Sequence, residues 1–304
     1  MYEYYDSVES AAAQGLENKR VNLGLTPLPE PVISGLKLNA DVSIGDLTLN
    51  TTDSAGVVWV LSDIEGWWTL PDSEIPELRR GWGDGDYDAI GRYSARLLTL
   101  SGSFLTQDPS QVAVARDRLI RATNLVKTGN WLVVRESPIE KASFVRLSGS
   151  PQIETTSARG RTNFSIGFKA ADPIKYEWLD GAADNYRSSG LSASGSAINN
   201  EGNTYVSTVI QVFGPITASV ASPATVTLAS GGSVKIVESL TSGQILEIDS
   251  LNREVLLVEG DSVLSGRYKT ATLIDWIYLA PGVNTVTYTG GGSCRMLYRS
   301  GWIG

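Results

Sequence analysis

From Leu36 to Ile44 apolar side chains occupy every second position (Leu36, Leu38, Ala40, Val42, Ile44), the period of a strand with one face buried. Gly45-Asp46 follows as a turn, and Leu47 and Leu49 resume the alternation, so the stretch predicts a hairpin. Residues 57–61 are continuously apolar (Val-Val-Trp-Val-Leu) between Gly56 and Ser62-Asp63, which predicts a strand covered on both faces. Strand character returns at 96–104, 131–135, 144–147 and 163–170, the last with Phe164, Ile166 and Phe168 alternating. One segment has a different period. Val112, Ala115, Leu119, Ala122 and Val126 recur at three- and four-residue spacing, which places them on one face of a helix. Asp108 stands as N-cap, Pro109 at the first helical position and Gln111 closes an Asp-x-x-Gln capping box, while Gly129 provides the stop, so the helix is predicted over 109–127. Its outer face holds Arg116, Asp117, Arg118, Arg121 and Lys127 and reads as solvated.

Beyond about residue 203 the pattern becomes a series of short strands at 209–213, 224–228, 234–237, 245–248, 254–258, 273–279, 285–289 and 295–299. Their connectors (Ser230-Gly-Gly232, Asp249 to Arg253, Pro281-Gly-Val-Asn284, Gly290-Gly-Gly292) are turn chemistry. Closely spaced strands with no helix between them predict a β-sandwich. Two stretches break the periodicity. Residues 66–91 (GWWTLPDSEIPELRRGWGDGDYDAIG) show no period and read as a long loop, the kind that is functional when found inside a compact domain. Residues 181–202 shift to Gly, Ala, Ser and Asn and read as an interdomain connection. The first 32 residues are polar and punctuated by Pro27, Pro29 and Pro31, which predicts an extended N-terminal arm. The expected organisation is therefore an arm at 1–32, a first domain at 33–180 with the single helix, a linker at 181–202 and a second domain at 203–304; two cores suit a chain of 304 residues.

Composition narrows what such a molecule does. A net charge of −8 argues against a phosphate-binding groove, and nucleic acid is not an expected partner. Eight carboxylates (Asp63, Glu65, Asp72, Glu74, Glu77, Asp84, Asp86, Asp88) meet only Arg79 and Arg80 between residues 63 and 88, a local negative patch. The chain contains no histidine, so Ser-His-Asp and Cys-His catalysis and His-ligated metal sites are outside its reach. A lone cysteine, Cys294, allows no intrachain disulfide and no thiolate cluster; it reads as a small buried hydrophobe. No cofactor is expected. The acidic, aromatic start Met1 to Asp6 is no secretory signal, and no apolar run has the length of a membrane span; a soluble chain made in a cytosol is expected.

Acid–base hydrolysis by two carboxylates needs neither His nor Cys. Asp84, Asp86 and Asp88 are available for it, but a Gly-rich loop lacks the apolar walls that raise a general acid's pKa. The Asp84-Gly-Asp-Tyr-Asp88 run has Ala89 and Ala95 where a calcium loop needs glycine and glutamate. No enzyme is expected. Aromatic side chains offer two binding surfaces instead. Trp67, Trp68 and Trp82, with Asp84 and Asp86, are candidate subunit-interface residues of the 66–91 loop. Trp276, Tyr278 and Tyr288 are a candidate sugar platform, with core packing as the competing role.

Three C-terminal motifs support a family resemblance. They are Asn199-Asn-Glu-Gly-Asn-Thr204 leading into Val209-Ile-Gln-Val-Phe-Gly-Pro215, then Ile245-Leu-Glu-Ile-Asp-Ser-Leu-Asn-Arg-Glu-Val255, then Leu279-Ala-Pro-Gly-Val-Asn-Thr-Val-Thr-Tyr-Thr-Gly290. In this order and spacing they resemble the galectin-like domain of siphophage distal tail proteins. The first half, with Gly66-Trp-Trp68 and Tyr93 to Phe104 entering a strand, is similar in style to minor tail proteins of phages of Gram-positive bacteria. The resemblance implies a mostly β fold, with a sheet- or barrel-like N-terminal ring domain and a C-terminal galectin-like β-sandwich. It implies a structural virion protein of the phage tail tip, assembled in the host cytoplasm as a homo-hexameric ring. The tail tube protein, the tail tip or hub protein and the tape measure protein are its implied neighbours. Host cell-wall glycan is the partner under the alternative carbohydrate-binding reading, and many family members lack a sugar site.

Overall fold

The computed structural model describes residues 40–136, 138–155, 161–180, 185–265 and 271–304. The expected arm at 1–32 and the first positions of the 36–44 strand lie outside the described residues. Asn39–Gly304 form one compact unit.

The chain first builds a ten-stranded antiparallel sheet. Its strands are β1 (Asp41–Ile44), β2 (Leu47–Leu49), β3 (Val58–Glu65), β4 (Arg96–Leu105), β5 (Asn130–Arg135), β6 (Glu140–Leu147), β7 (Gln152–Thr155), β8 (Arg161–Ala170), β9 (Lys175–Glu177) and a late addition, β21 (Gly301–Trp302). The main path runs β2-β1-β5-β6-β8-β4-β3, with β7 on β8 and with β9 joining β6 to β21. The expected hairpin forms: Ile44 pairs with Leu47 across Gly45-Asp46. Along β8, Phe164, Ile166 and Phe168 all point inward and are buried, as their alternation requires. In β3, Trp59, Val60 and Leu61 are buried, and a bulge at Ser62 resets the register so that Ile64 returns to the core.

Of the sheet- or barrel-like alternatives the sheet is what forms: among the described residues no barrel closes, and β2 and β3 end its main path. Asn50 adopts a left-handed φ of 63° directly after β2, turning the chain, and its side chain spans the corner by donating to the Ala40 carbonyl (2.7 Å) and accepting from the Leu61 amide (2.9 Å). Side-chain bonds there replace a ladder.

The helix arrives as predicted in kind and slightly shorter in extent. Asp108 accepts from the Ser110 amide (2.9 Å), Pro109–Gln111 form a 3-10 turn, and helix α1 runs Val112–Leu125. Ala115, Leu119, Ala122 and Val126 are buried. The helix is pinned to the sheet by Asp53. That carboxylate accepts from the Trp59 indole (2.9 Å), from the amides of Ala55 and Val57, and from Arg118 (2.6 Å). Burial opposes its charge, but the Trp59 N–H, the two amides and the Arg118 guanidinium outweigh this and hold its carboxyl below the usual range.

The second half is a β-sandwich. One sheet has six strands: β10 (Arg187–Leu191), β12 (Val209–Phe213), β15 (Gln244–Asp249), β16 (Glu254–Glu259), β17 (Ser262–Ser265) and β20 (Ser293–Tyr298), in the order β10-β20-β12-β15-β16-β17. The other has five: β11 (Ser196–Asn200), β13 (Ala224–Leu228), β14 (Ser233–Ile236), β18 (Ala271–Ile274) and β19 (Gly282–Thr289), in the order β11-β19-β13-β14-β18. Val212, Leu246, Ile248 and Met296 from the first face Val226, Val234, Ile236 and Val286 from the second in one buried cluster. The stretch read as a connection contains β10 and β11. Gly, Ser and Asn satisfy these strands because β20 and β19 supply their ladders, so tertiary pairing overrides low strand propensity. The Pro-Gly-x-Asn motif turns the chain with Asn284, whose side chain accepts from the Ala280 amide and donates to the Ala280 and Gly282 carbonyls (3.0, 2.8 and 2.9 Å).

The C-terminal strand returns to the first sheet. β21 pairs with β9 (Lys175 opposite Trp302, Tyr176 opposite Gly301). Gly202 and Gly301 pass so closely that a Cβ on Gly202 would lie 1.8 Å from the Gly301 carbonyl oxygen. Arg187 forks onto Glu177, donating from Nε at 2.8 Å.

Candidate functional site

The acidic, Trp-rich stretch is the most exposed part of the described chain, and it is a β-hairpin arm. Ser73 and Glu74 pair with Tyr93 and Arg92, then Leu78 and Arg79 pair with Tyr87 and Asp86. The Arg80 amide donates to the Gly85 carbonyl at the tip (3.4 Å). The stretch read as a long loop therefore contains two short ladders. Two ladders of two residues each are too short to display a period of two in sequence, and Pro71, Pro76 and the glycines at 81, 83 and 85 interrupt any longer pattern.

Among the described side chains from Asp72 to Tyr93 only Ala89 is partly sheltered. Trp82 is 96% exposed and Ile90 92%, with Ile75, Tyr87 and Tyr93 also exposed. Asp72, Glu74, Glu77, Asp84, Asp86 and Asp88 set six negative charges against Arg79, Arg80 and Arg92, a net of −3. An isolated two-stranded ribbon is marginal in water, and exposed apolar side chains on such a ribbon mark an interaction surface.

The foot of the arm is as rigid as its tip is exposed. Gly66 has φ +81°, and a Cβ there would sit 2.1 Å from the Leu97 carbonyl oxygen, so only glycine fits. Arg96, 1% exposed, donates through Nη1 to the carbonyls of Gly66 (2.7 Å) and Thr69 (2.8 Å) and through Nε to that of Pro173 (3.0 Å). Lys175, equally buried, donates to the carbonyls of Trp67 (2.7 Å) and Gly304 (2.9 Å) and stands 4.9 Å from the Trp67 ring centroid. Burial, then the charges of Arg96 and Lys141, lower the Lys175 ammonium to about 8, with Glu136 opposing. These two buried cations root the arm, and sequence reading misses them.

The candidate interface residues separate accordingly. Trp67 is corrected: it is fully buried in its own subunit, its indole donating to Glu136 Oε1 (3.0 Å), and it anchors the arm's foot. Trp68, its neighbour on the chain, shares that acceptor (3.0 Å) yet is 46% exposed. Trp82, Asp84 and Asp86 project from the tip and its flank. Of the candidate sugar platform, Tyr288 is likewise corrected. It is 4% exposed with its hydroxyl donating to the Gly291 carbonyl (2.6 Å), because it shares the inward face of β19 with Val286. Trp276 and Tyr278 are partly exposed and line the same recess.

No group of three or more acidic or cysteine side chains able to hold a metal ion occurs among the described residues. Cys294 is buried, and burial pushes its thiol up to about 12. A disulfide-exchange reagent at pH 8 is therefore expected to modify it at least about a hundredfold more slowly in the native chain than in urea. Equal rates would show that the sandwich core opens there.

Residues 201–302 match the family model described as siphovirus-type tail component, C-terminal domain. Among solved structures the chain is similar to the Dit (gp 19.1) protein of SPP1, described as a paradigm of the hub adsorption apparatus in phages infecting Gram-positive hosts. The identity is 13% and the TM-score 0.59, over 86% of this chain and 98% of that one. Two chains from the phage P2 baseplate in its activated conformation also match over 86% of this chain: one from the form with Ca (8% identity, TM-score 0.46, 98% of that chain), the other from the form with Sr (9%, 0.43, 97%). A search of the curated proteins returns no match. Residues 201–302 thus carry the C-terminal domain of a siphovirus-type tail component, and the β fold is shared with the SPP1 protein. The match to the family model is confined to residues 201–302, and over the larger part of the chain the likeness to the SPP1 protein is one of fold.

Proposed function

We propose that the chain closes into a homo-hexameric ring that joins the tail tube above to the tail tip or hub below, with no catalytic activity of its own. The observation that supports this reading is the hairpin arm, whose apolar side chains, Trp82 foremost, have no cover within their own subunit. A ring needs one patch that meets a different patch on the next copy. A rigidly footed arm with an exposed tip is suited to be the first of these. In this reading the division of labour follows the chain: residues 33–180 make the ring, 181–202 connect, and the sandwich at 203–304 faces outward. Trp68, Trp82, Asp84 and Asp86 belong to the contact between copies, and the tape measure protein is a further neighbour.

Ring closure is tested on the purified full chain by native mass spectrometry and negative-stain micrographs. A closed ring of about six copies is expected at micromolar protein. A stable monomer at that concentration sinks the proposal.

A further inference from the structure

The two remaining members of the aromatic trio, Trp276 and Tyr278, line an open recess of ≈ 540 Å³ on the sandwich. Tyr205, from the segment after β11, contributes a ring that is 64% exposed. Asp275 brings an exposed carboxylate to the lining, and Ser230 a hydroxyl. Tyr278 is fixed in place, its hydroxyl donating to the Ser250 carbonyl (3.1 Å). Trp276 is held from behind by packing against the sandwich core.

A second cavity, ≈ 380 Å³, is also rich in rings, yet it is spoken for. Arg299 lies 3.9 Å from the centroid of Tyr186, 4.9 Å from Trp131 and 5.5 Å from Tyr176. The faces of those rings hold a cation of the same chain. Among the described residues no basic side chain lines the Trp276 recess, so none of them competes for the aromatic surface.

We propose that this recess binds a neutral pyranose ring, stacked against Trp276 and Tyr205, with hydroxyl groups donating to the Asp275 carboxylate. The chemistry selects this ligand in three steps. Exposed aromatic faces held from behind offer apolar contact at little conformational cost, which suits the C–H face of a sugar. A carboxylate at the rim accepts hydroxyl hydrogen bonds that are stronger than neutral ones, which a purely apolar ligand cannot use. Asp275 is the single charged group among the described residues of the lining; its carboxylate repels phosphorylated, sulfated and carboxylated sugars, which favours an uncharged ligand. A recess this open gives weak affinity per site, and repetition on one assembly raises it. The proposal is independent of ring closure, because the recess is complete within one copy.

The test titrates the full-length protein with neutral hexoses, N-acetylhexosamines and their short oligomers, followed by saturation-transfer NMR and calorimetry. Saturable binding in about the millimolar range is expected for at least one probe. Tyr205→Ala and Asp275→Asn are each expected to weaken it at least about tenfold with unchanged melting temperature, since both side chains are exposed. Trp276 is left intact because its replacement also disturbs the core. Trp82→Ala, on the distant arm, serves as the control and binds as the parent does. No saturable binding to any probe up to about 50 mM overturns the proposal. Binding that both recess variants retain at full strength also overturns it, as does preference for an anionic sugar over its neutral parent. The mass of each sample is read in parallel, so failure of the site and failure of the ring are seen separately.

Discussion

Trp82→Ala is expected to leave the subunit folded and to take the ring apart. At 96% exposure the indole contributes nothing to its own subunit's core, so the change in unfolding free energy should stay within about 0.5 kcal/mol, as for other surface positions. Its effect on association is of another order. Truncating a tryptophan anchor at the centre of an interface costs about 2 kcal/mol or more, roughly a 30-fold loss per contact, and a closed ring repeats the contact at every junction. Sedimentation velocity at micromolar concentration should show the parent as a ring and the variant as monomers and short open oligomers. Replacing Asp84 and Asp86 together by asparagine should act more weakly, and only at low salt, because exposed ion pairs contribute at most about 1 kcal/mol and are screened. An intact ring in Trp82→Ala would move the contact away from the arm's tip.

The contrast between tip and foot shows what the sequence could reveal. Helix α1 was legible because Asp108, Pro109 and the spacing from Val112 to Val126 are all local signals. Most strands of the sandwich were legible too, since each shows its own alternation between turn residues. Tyr288 could have been placed correctly from the same rule: it shares parity with Val286, and both are buried in β19. The arm was not legible, because its ladders join residues up to 20 positions apart through pairs too short to carry a period. Trp67 and Trp68 were indistinguishable in a run of adjacent indoles. What separates them is Gly66, whose positive φ and contact with Leu97 aim one ring inward, and no local pattern announces that.

Arg96 and Lys175 were invisible for a deeper reason. A cation in a sequence reads as surface; the groups that stabilise these two in the interior are main-chain carbonyls of residues 66, 67, 69, 173 and 304. Carbonyl acceptors have no residue-type signature, so a site built from them appears only once the chain is folded. The same feature ties the two halves of the molecule together, because the arm's foot, β9 and the last residue meet at these two side chains. The exposed element is thus held by main-chain acceptors where it is rooted.

Arg96→Ala is accordingly expected to produce the largest loss of stability of any single change proposed for this chain. The variant removes the donor from three partly buried carbonyls and leaves the volume of a guanidinium empty; lost hydrogen bonds from a charged group together with the cavity cost about 3–5 kcal/mol. For a unit of this size the melting temperature should fall by roughly 10 °C. Arg96→Lys keeps the charge but loses the fork that reaches three oxygens, so it should recover only part of the loss. Hydrogen exchange across 70–95 should quicken in Arg96→Ala, and the ring should be lost with the fold weakened, whereas Trp82→Ala loses the ring alone. The pH dependence provides an independent check. Lys175 is held at about 8 when folded, against 10.5 ordinarily, by burial first and the Arg96 charge next. Between those values the unfolded chain binds the extra proton, so the Lys175 contribution to stability should rise with pH from about 8 to 10.5, opposed above about 9 by the Cys294 thiol, which keeps its proton longer when folded. Removing the Arg96 charge relieves part of that depression, so urea titrations of Arg96→Ala at pH 7.5 and 9.5 should show a smaller rise than the parent. An equal rise in both would mean that the two cations do not sense each other.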